Sequence, residues 1–282
     1  MNDLYDAGDG DKAIVADYPA SILRIYKRKF NHLPWPLWQL LVLKGPRIIY
    51  NPIAKTGSSS LRSTIVDLSD LPPETKRLPL DTYATGIQLG DFSADEAREI
   101  LQSPTYFRFA VIRDPFDRLV SAYLDKFVLN RMSRGNHFHC QRVISEVLGV
   151  SAPTESHFRR SISFSQFVDY IVRQPPQSLD PHWCPQHLYL RGAVYSLVRF
   201  EDIEALYAEL AIRCGVPAAV FRQNATRQNA EFVEAAHSLA AEDLPHANIA
   251  TTSFNESTIR SKVQSYFHAD LALIEQAAVR YT

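Results

Sequence analysis

Cysteine is scarce in this chain. Its 282 residues include only Cys140, Cys184 and Cys214, widely spaced and without a C-x-x-C pair. That spacing suggests neither a thiolate zinc site nor a disulfide framework, and it fits a reducing compartment. An excess of charge of either sign is also lacking, with 30 Lys and Arg against 31 Asp and Glu. A net charge of −1 gives no global pull toward nucleic acid or an anionic membrane, so any anion site must be a local concentration of basic groups. Long apolar runs are missing too. The longest, Trp35 to Leu43, is far short of the ~20 residues that span a bilayer. The first dozen residues are acidic and carry glycine, unlike a signal peptide. The expected location is therefore cytoplasmic. Arg24, Lys27, Arg28, Lys29, Lys44 and Arg47 flank the apolar run, which leaves open peripheral contact at the inner membrane through residues 24–47. The reading adopted for the run is a helix packed under the first strand. There are no internal repeats and no low-complexity tracts, and a Walker A loop, G-x-x-x-x-G-K-[ST], is absent. With hydrophobic residues at 46% and charged residues at 22%, the composition is that of a globular protein with a sizeable core.

The most informative stretch runs from Arg47 to Leu61, R-I-I-Y-N-P-I-A-K-T-G-S-S-S-L. Ile48, Ile49 and Tyr50 read as a buried strand, which Asn51-Pro52 stops because proline lacks the N–H that a central strand needs. Leu61, Ile65 and Leu68 recur at helical spacing, so a helix starts near Ser58 or Ser59. A strand, a tight Gly/Ser loop and a helix N-terminus aim free backbone N–H groups and the positive end of a dipole at one point. Lys55 adds a full charge and Ser58, Ser59 and Ser60 add hydroxyl donors. Together they form a candidate cradle for phosphate or sulfate. The bland alternative is an ordinary serine-rich N-capping turn.

Further along, Leu71–Leu89 reads as a long loop. Ser93-Ala94-Asp95-Glu96 is a capping box opening a helix to about Leu101. Tyr106 to Ile112 reads as a second buried strand. Pro115 then starts a helix whose Phe116, Leu119, Val120, Tyr123, Leu124, Phe127 and Val128 share one face. Residues 130–160 are polar, and Ser163 with Gln166 forms a second capping box. Val194 to Phe200 reads as a third strand, followed by a helix from Ile203 to about Arg213. The alanine-rich stretch 230–242 has helical composition, and Ser257 is expected to cap a final helix carrying Ile259, Val263, Phe267, Leu271 and Ile274. Strands alternating with helices point to an α/β domain, a parallel sheet covered on both faces with its site at the strand C-termini. Residues 1–20 are expected to be a flexible N-terminus and 21–282 a single domain.

Arg113 stands at the C-terminal end of the second strand, on the side where the first presents its loop. Ser121 lies on the helix that follows. A planar guanidinium with a nearby hydroxyl suits a second phosphate. The competing readings are a salt bridge from Arg113 to Asp114 or Asp117, and Ser121 as a small residue for close packing.

V-I-R-D-P-F-D-R-L-V-S-A-Y-L-D-K-F (111–127) resembles the 3′-phosphate segment of carbohydrate sulfotransferases of the chondroitin and dermatan type. A-K-T-G-S-S-S-L (54–61) resembles the 5′-phosphosulfate loop of the same superfamily, nearest in its K-T-G-S form to the uronyl 2-O-sulfotransferases. N-H-F-H (136–139), L-D-P-H-W-C-P-Q-H-L (179–188) and Y-S-L-V-R-F-E-D-I (195–203) resemble the family in the same order. The resemblance covers roughly residues 47–275 and is closest to a bacterial member, since the eukaryotic enzymes carry a membrane anchor and paired cysteines.

The resemblance implies a P-loop-like three-layer fold with a central parallel sheet of about five strands flanked by helices. It also implies 3′-phosphoadenosine 5′-phosphosulfate (PAPS) as donor, 3′-phosphoadenosine 5′-phosphate (PAP) as product, and no metal. Lys55, Thr56, Gly57, Ser58, Ser59 and Ser60 would hold the 5′-phosphosulfate, and Arg113 and Ser121 the 3′-phosphate. Two separated anion sites are what a 3′,5′-bisphosphate requires. The expected reaction is in-line transfer of a sulfuryl group to a hydroxyl of a glycan or other acceptor, with no nucleic acid partner. Lys55 would stabilise the leaving oxygen. The uronyl enzymes carry a catalytic histidine between the donor motifs, and here none occurs between His32 and His137. The first choice of base is therefore His182, with His137 and His139 next and Asp81, Asp91 and Glu201 open. Trp183 is expected in the core, and Cys184 has no assigned role. The rival readings are a non-catalytic nucleotide-binding regulator with this fold and an ATP-using P-loop kinase or hydrolase.

Overall fold

The computed structural model describes residues 33–80, 84–190, 193–217, 230–245 and 248–278. The N-terminal segment 1–20, the basic stretch 24–32 and the candidate base Asp81 lie outside the described residues. Four strands form one sheet: β1 (Leu41–Leu43), β2 (Ile48–Asn51), β3 (Phe107–Ile112) and β4 (Ser196–Arg199), in that spatial order. β2, β3 and β4 run parallel, with Tyr50 opposite Phe109 and Val111 opposite Val198. The Tyr50 and Phe109 rings stack at 4.9 Å across that register. β1 is antiparallel to β2. Among the described residues the sheet thus has four strands, and a fifth is not seen.

The stretch Trp35–Leu43 was expected to be helical and is not. Leu37–Gln39 makes a single 3₁₀ turn, and the chain then enters β1. Pro34 and Pro36 obstruct a longer helix, and β1 finds backbone partners on both sides. Beyond its ladder with β2, Val42 N–H donates to Ile87 C=O at 2.9 Å. Trp35, Trp38 and Leu40 to Leu43 are all buried and pack into the protein interior. Among the described residues no helix is long and apolar enough to cross a membrane.

Among the described residues, eight α-helices of eight or more residues cover the sheet or extend from it: α1 (Ser58–Leu68), α2 (Ala94–Gln102), α3 (Pro115–Tyr123), α4 (Arg134–Leu148), α5 (Phe164–Ile171), α6 (Ile203–Cys214), α7 (Ser257–Tyr266) and α8 (His268–Ala278). Shorter helical turns link them. The side chains of β3 alternate between two cores. Phe109 and Val111 pack with Leu61 and Ile65 of α1 and with Leu206 and Leu210 of α6. Ala110 and Ile112 pack with α3, α5 and α7. That alternation is the period of two expected of a strand buried on both faces, and it makes three layers. The expected core role of Trp183 holds: the ring is 1% exposed and lies against Phe127 and Phe167.

The capping signals hold at two helices. The Ser93 hydroxyl accepts from Glu96 N–H, and Ser163 and Gln166 bond reciprocally. The final helix differs from its reading. Glu256, not Ser257, is the cap, its carboxylate accepting from the N–H groups of Thr258 and Ile259. Buried Phe267 then separates α7 from α8. The alanine-rich region is also not a helix where it is described. Residues 230–243 form turns, with Glu231 bridging to Ile249. Ala236 and Ala241 are fully buried, so small side chains serve close packing there and helix propensity yields to it.

Candidate active site

The loop after β2 folds as its residues dictate. Pro52 ends strand pairing, and the Thr56 hydroxyl turns back to Ile53 C=O at 2.9 Å. Lys55 sits at φ 70° and Gly57 at φ 76°, left-handed conformations in sequence positions two apart. The first is unfavourable for a residue with a side chain, a form of strain that clusters at functional sites. At Gly57 a Cβ would stand 3.0 Å from the Phe200 ring, so both conformation and space call for glycine. α1 then starts on Gly57 with no side-chain cap and no acidic residue in its first turn. Its positive end faces the loop uncompensated, which suits an anion.

Lys55 Nζ pairs with Asp125 Oδ2 at 2.6 Å. Asp125 lies on a π-helical turn, Leu124–Leu129, that continues α3 and carries Asp125 and Lys126 to the cavity wall. Such turns recur at functional sites because they redirect side chains out of the α-helical register. Burial pushes the Asp125 carboxyl up, but Lys55, Lys126 and the Asn130 amide outweigh it and hold it at about 2.

Arg113 caps the sheet next door. Its backbone N–H donates to Gln186 Oε1 at 2.9 Å, and the Gln186 amide donates back to Arg113 C=O. Its guanidinium lies 4.9 Å over the Phe200 ring and 3.4 Å from Lys55 C=O. Phe200 thus supports both halves of the expected donor site. Ser121 is half-buried on α3, two turns from Arg113.

A second cluster borders the same cavity as the lysine. Asp180, 7% exposed, takes the Nδ1–H of His139 on Oδ2 and the Nδ1–H of His182 on Oδ1, each at 2.7 Å. The His182 backbone N–H also donates to Oδ1. The two rings lie edge to face, 4.5 Å apart. Burial and the Lys126 charge hold the His182 imidazole down at about 4, against the pull of Asp180. Both histidines line one cavity of about 330 Å³ with Lys55, Ser58, Ser59 and Asp125. Thr56, Gly57, Ser60, Arg113 and Ser121 are not on its wall. His139, Asp180 and His182 are close enough together to hold a metal ion. Lys55, Arg62 and Lys126 line the same space, however, and their charge opposes a second cation there.

The other candidate bases are turned to structural tasks. His137 stacks on Phe158 at 3.7 Å and bonds to Arg131 C=O. Asp91 Oδ2 accepts the N–H groups of Thr85, Gly86 and Gln88 and so ties down the loop before it. Glu201 is exposed beside β4, off the cavity wall. Sequence reasoning overlooked Arg118. This arginine is 1% exposed and donates to Ala54 C=O at 2.8 Å, Cys184 C=O at 2.7 Å and Pro181 C=O at 3.0 Å. It therefore joins the residue before Lys55 to the residues around His182. It lies on the polar side of α3, opposite Phe116, Leu119, Val120 and Tyr123, where an arginine reads as solvated, so the sequence carried no signal of its burial.

The fold and this site define an α/β protein with an anion-binding strand–loop–helix set against a carboxylate-linked pair of imidazoles. The chain belongs to the sulfotransferase family, whose model matches residues 38–273. It is 27% identical over 215 residues to carbohydrate sulfotransferase 14 of Mus musculus, an alignment covering 71% of this chain and 56% of that protein. The human carbohydrate sulfotransferase 14 gives 28% over 214 residues, 71% of this chain and 55% of that protein. Carbohydrate sulfotransferase 10 of Xenopus laevis gives 28% over 138 residues, 47% of this chain and 38% of that protein. The chain thus spans about half the length of the first relatives it matches. No solved structure matches it significantly.

Proposed function

We propose that this protein transfers a sulfuryl group from PAPS to a hydroxyl of an acceptor, a carbohydrate as in the names of its relatives. One observation carries the reading: Lys55, Ser58, Ser59 and the Asp180-linked histidines line a single cavity. Donor loop and proton acceptor thus border the same space, where the reaction would occur. The finer donor assignment follows from the loop, which we take as P-loop-like in a sheet of the family's five-stranded kind. Lys55, Thr56, Gly57, Ser58, Ser59 and Ser60 form the 5′-phosphosulfate cradle, and Arg113 and Ser121 take the 3′-phosphate. The Arg113 contact to Lys55 C=O supports two adjoining anion sites.

In the reaction the acceptor oxygen attacks sulfur in line. The S–O bond to the 5′-phosphate breaks, and its electron pair leaves on the phosphate oxygen to give PAP. Lys55 exchanges its partner Asp125 for that developing charge, and the loop N–H groups share it. The acceptor proton passes to the imidazole pair, with His182 the first choice from the sequence and His139 now beside it.

Thermal unfolding with PAP, ADP and Mg-ATP tests the reading, for the parent and for Arg113→Ala. A ligand at 100 times its dissociation constant stabilises by about 2.7 kcal/mol. The expected result is a shift with PAP that Arg113→Ala loses. A shift with Mg-ATP alone would overturn the reading in favour of a kinase or hydrolase. PAP binding with no PAPS turnover would favour the non-catalytic regulator.

A further inference from the structure

Asp180 is ionised and carries no proton to donate, so each ring nitrogen bonded to it must be the donor. Its flanking imidazoles hold the carboxyl well below the usual range against its burial. Both histidines are thereby fixed as the Nδ1–H tautomer, by the same device that orients the base in a Ser-His-Asp site. The remaining nitrogen of each neutral ring, Nε2, is an acceptor only, and both rings line the cavity that Lys55 enters. A single base would need one such ring. The second has no place in the transfer as written so far, yet it sits on the same carboxylate 4.5 Å away.

Resting on the sulfotransferase reading, we propose that the acceptor is a sugar or other polyol with two neighbouring hydroxyls, read by the two imidazoles together. His139 Nε2 takes the proton of the attacking hydroxyl as its oxygen bonds to sulfur. His182 Nε2 accepts a hydrogen bond from the adjacent hydroxyl, and Asp180 is the positioning residue for both. The division of roles follows from their surroundings. His182 packs beside Trp183, where burial and the Lys126 charge disfavour a positive charge on it against the pull of Asp180. His139 stands on α4, 22% exposed against 24% for His182, and can hand its proton to water; what separates the two rings is the Lys126 charge and the Trp183 ring beside His182. The pair carries only one negative partner, so one proton, not two, is accommodated at a time. This assignment moves the base from His182, the first choice from sequence, to His139.

The test uses the full chain, radiolabelled PAPS and methyl galactopyranosides, each compared with its monodeoxy analogues. Nitrogen NMR of labelled histidine in the PAP complex supplies a readout independent of turnover. Both rings are expected to report protonated Nδ1 and bare Nε2. Transfer to the glycoside should exceed transfer to the analogue lacking the neighbouring hydroxyl by about 10- to 100-fold, since that analogue leaves a buried acceptor unpaired. His139→Ala should lower kcat by about 10²–10⁴ with PAP binding intact. His182→Ala should keep most of kcat, raise KM for the glycoside and erase the preference over the deoxy analogue. Asp180→Asn should disturb the tautomer of both rings. Protonated Nε2 in either ring overturns the proposal, as does transfer indifferent to the second hydroxyl or absent with every glycoside in a chain that binds PAP. Failure to bind PAP at all would instead sink the sulfotransferase reading on which it rests.

Discussion

Arg118→Met removes a guanidinium that is almost completely buried and hydrogen-bonded to three carbonyls. Methionine fills much of the same volume, so the loss is mainly polar. Of the three acceptors, Pro181 C=O keeps the Tyr189 hydroxyl at 2.7 Å. Ala54 C=O and Cys184 C=O are left without their arginine. A buried acceptor deprived of its partner costs about 1–3 kcal/mol, so the two together should destabilise the fold by roughly 4 kcal/mol. For a chain of this size that lowers Tm by roughly 10 °C. Arg118→Lys should recover only part of this, because an ammonium reaches fewer carbonyls than a planar fork. The functional loss should exceed the loss of folded protein. Ala54 precedes Lys55, and Pro181 and Cys184 bracket His182 and Trp183, so the tie sets the spacing of donor loop and imidazoles. A misplacement of about 1 Å can cost on the order of 10² in rate. Calorimetry with PAPS turnover measured well below Tm separates the two effects. A Tm within a degree or two of the parent would refute the reasoning on stability, and full kcat in Arg118→Met would refute the coupling.

Gly57→Ala should weaken PAP binding at least tenfold, because its Cβ meets Phe200 and the αL conformation costs about 1–2 kcal/mol; titration calorimetry would measure it. Lys55→Ala should lower turnover by about 10²–10³ while leaving the circular dichroism spectrum unchanged, since the residue is placed to act on transition-state charge. His182, held at about 4 against an ordinary 6.5, makes stability depend on pH. The unfolded chain takes the proton first, so this contribution is complete above about pH 6.5 and is lost as pH falls through 4, at most about 3 kcal/mol. Urea midpoints at pH 7.5 and 4.5 should differ in the parent by more than in His182→Asn, and equal differences would refute it.

What could be read in the sequence was whatever is local. β3 and the start of α3 followed from Phe107 to Pro115, because an apolar run ending in Asp-Pro has few other uses. The loop between β2 and α1 followed from Asn51-Pro52, Gly57 and its serines, and the caps from Ser93 and Ser163. β1 could not be read that way, because its three residues became a strand only through partners at Ile48–Tyr50 and Ile87. The break at Phe267 and the turns at 230–243 are likewise decided by packing, which periodicity does not record.

The histidines were hard to rank for the same reason. His139 and His182 lie far apart in sequence and meet only because Asp180, two residues before His182, reaches across to α4. The sequence marked Asp180-Pro181-His182 but offered no way to see that the carboxylate had a second client. Arg118 makes the same point for the donor loop. It is one position in an amphipathic helix, yet its three carbonyls belong to the two segments that must be held in register. Helix α3 and the residues before it therefore have two duties that the motif does not separate: Arg113, just ahead of the helix, is proposed to hold the donor, while Arg118 ties the residue before Lys55 to the segment around His182. If so, substitutions at Arg113 should act mainly on PAP affinity and those at Arg118 mainly on turnover at saturating PAPS. A pair of variants that changed both quantities in parallel would show that the two arginines serve a single site after all.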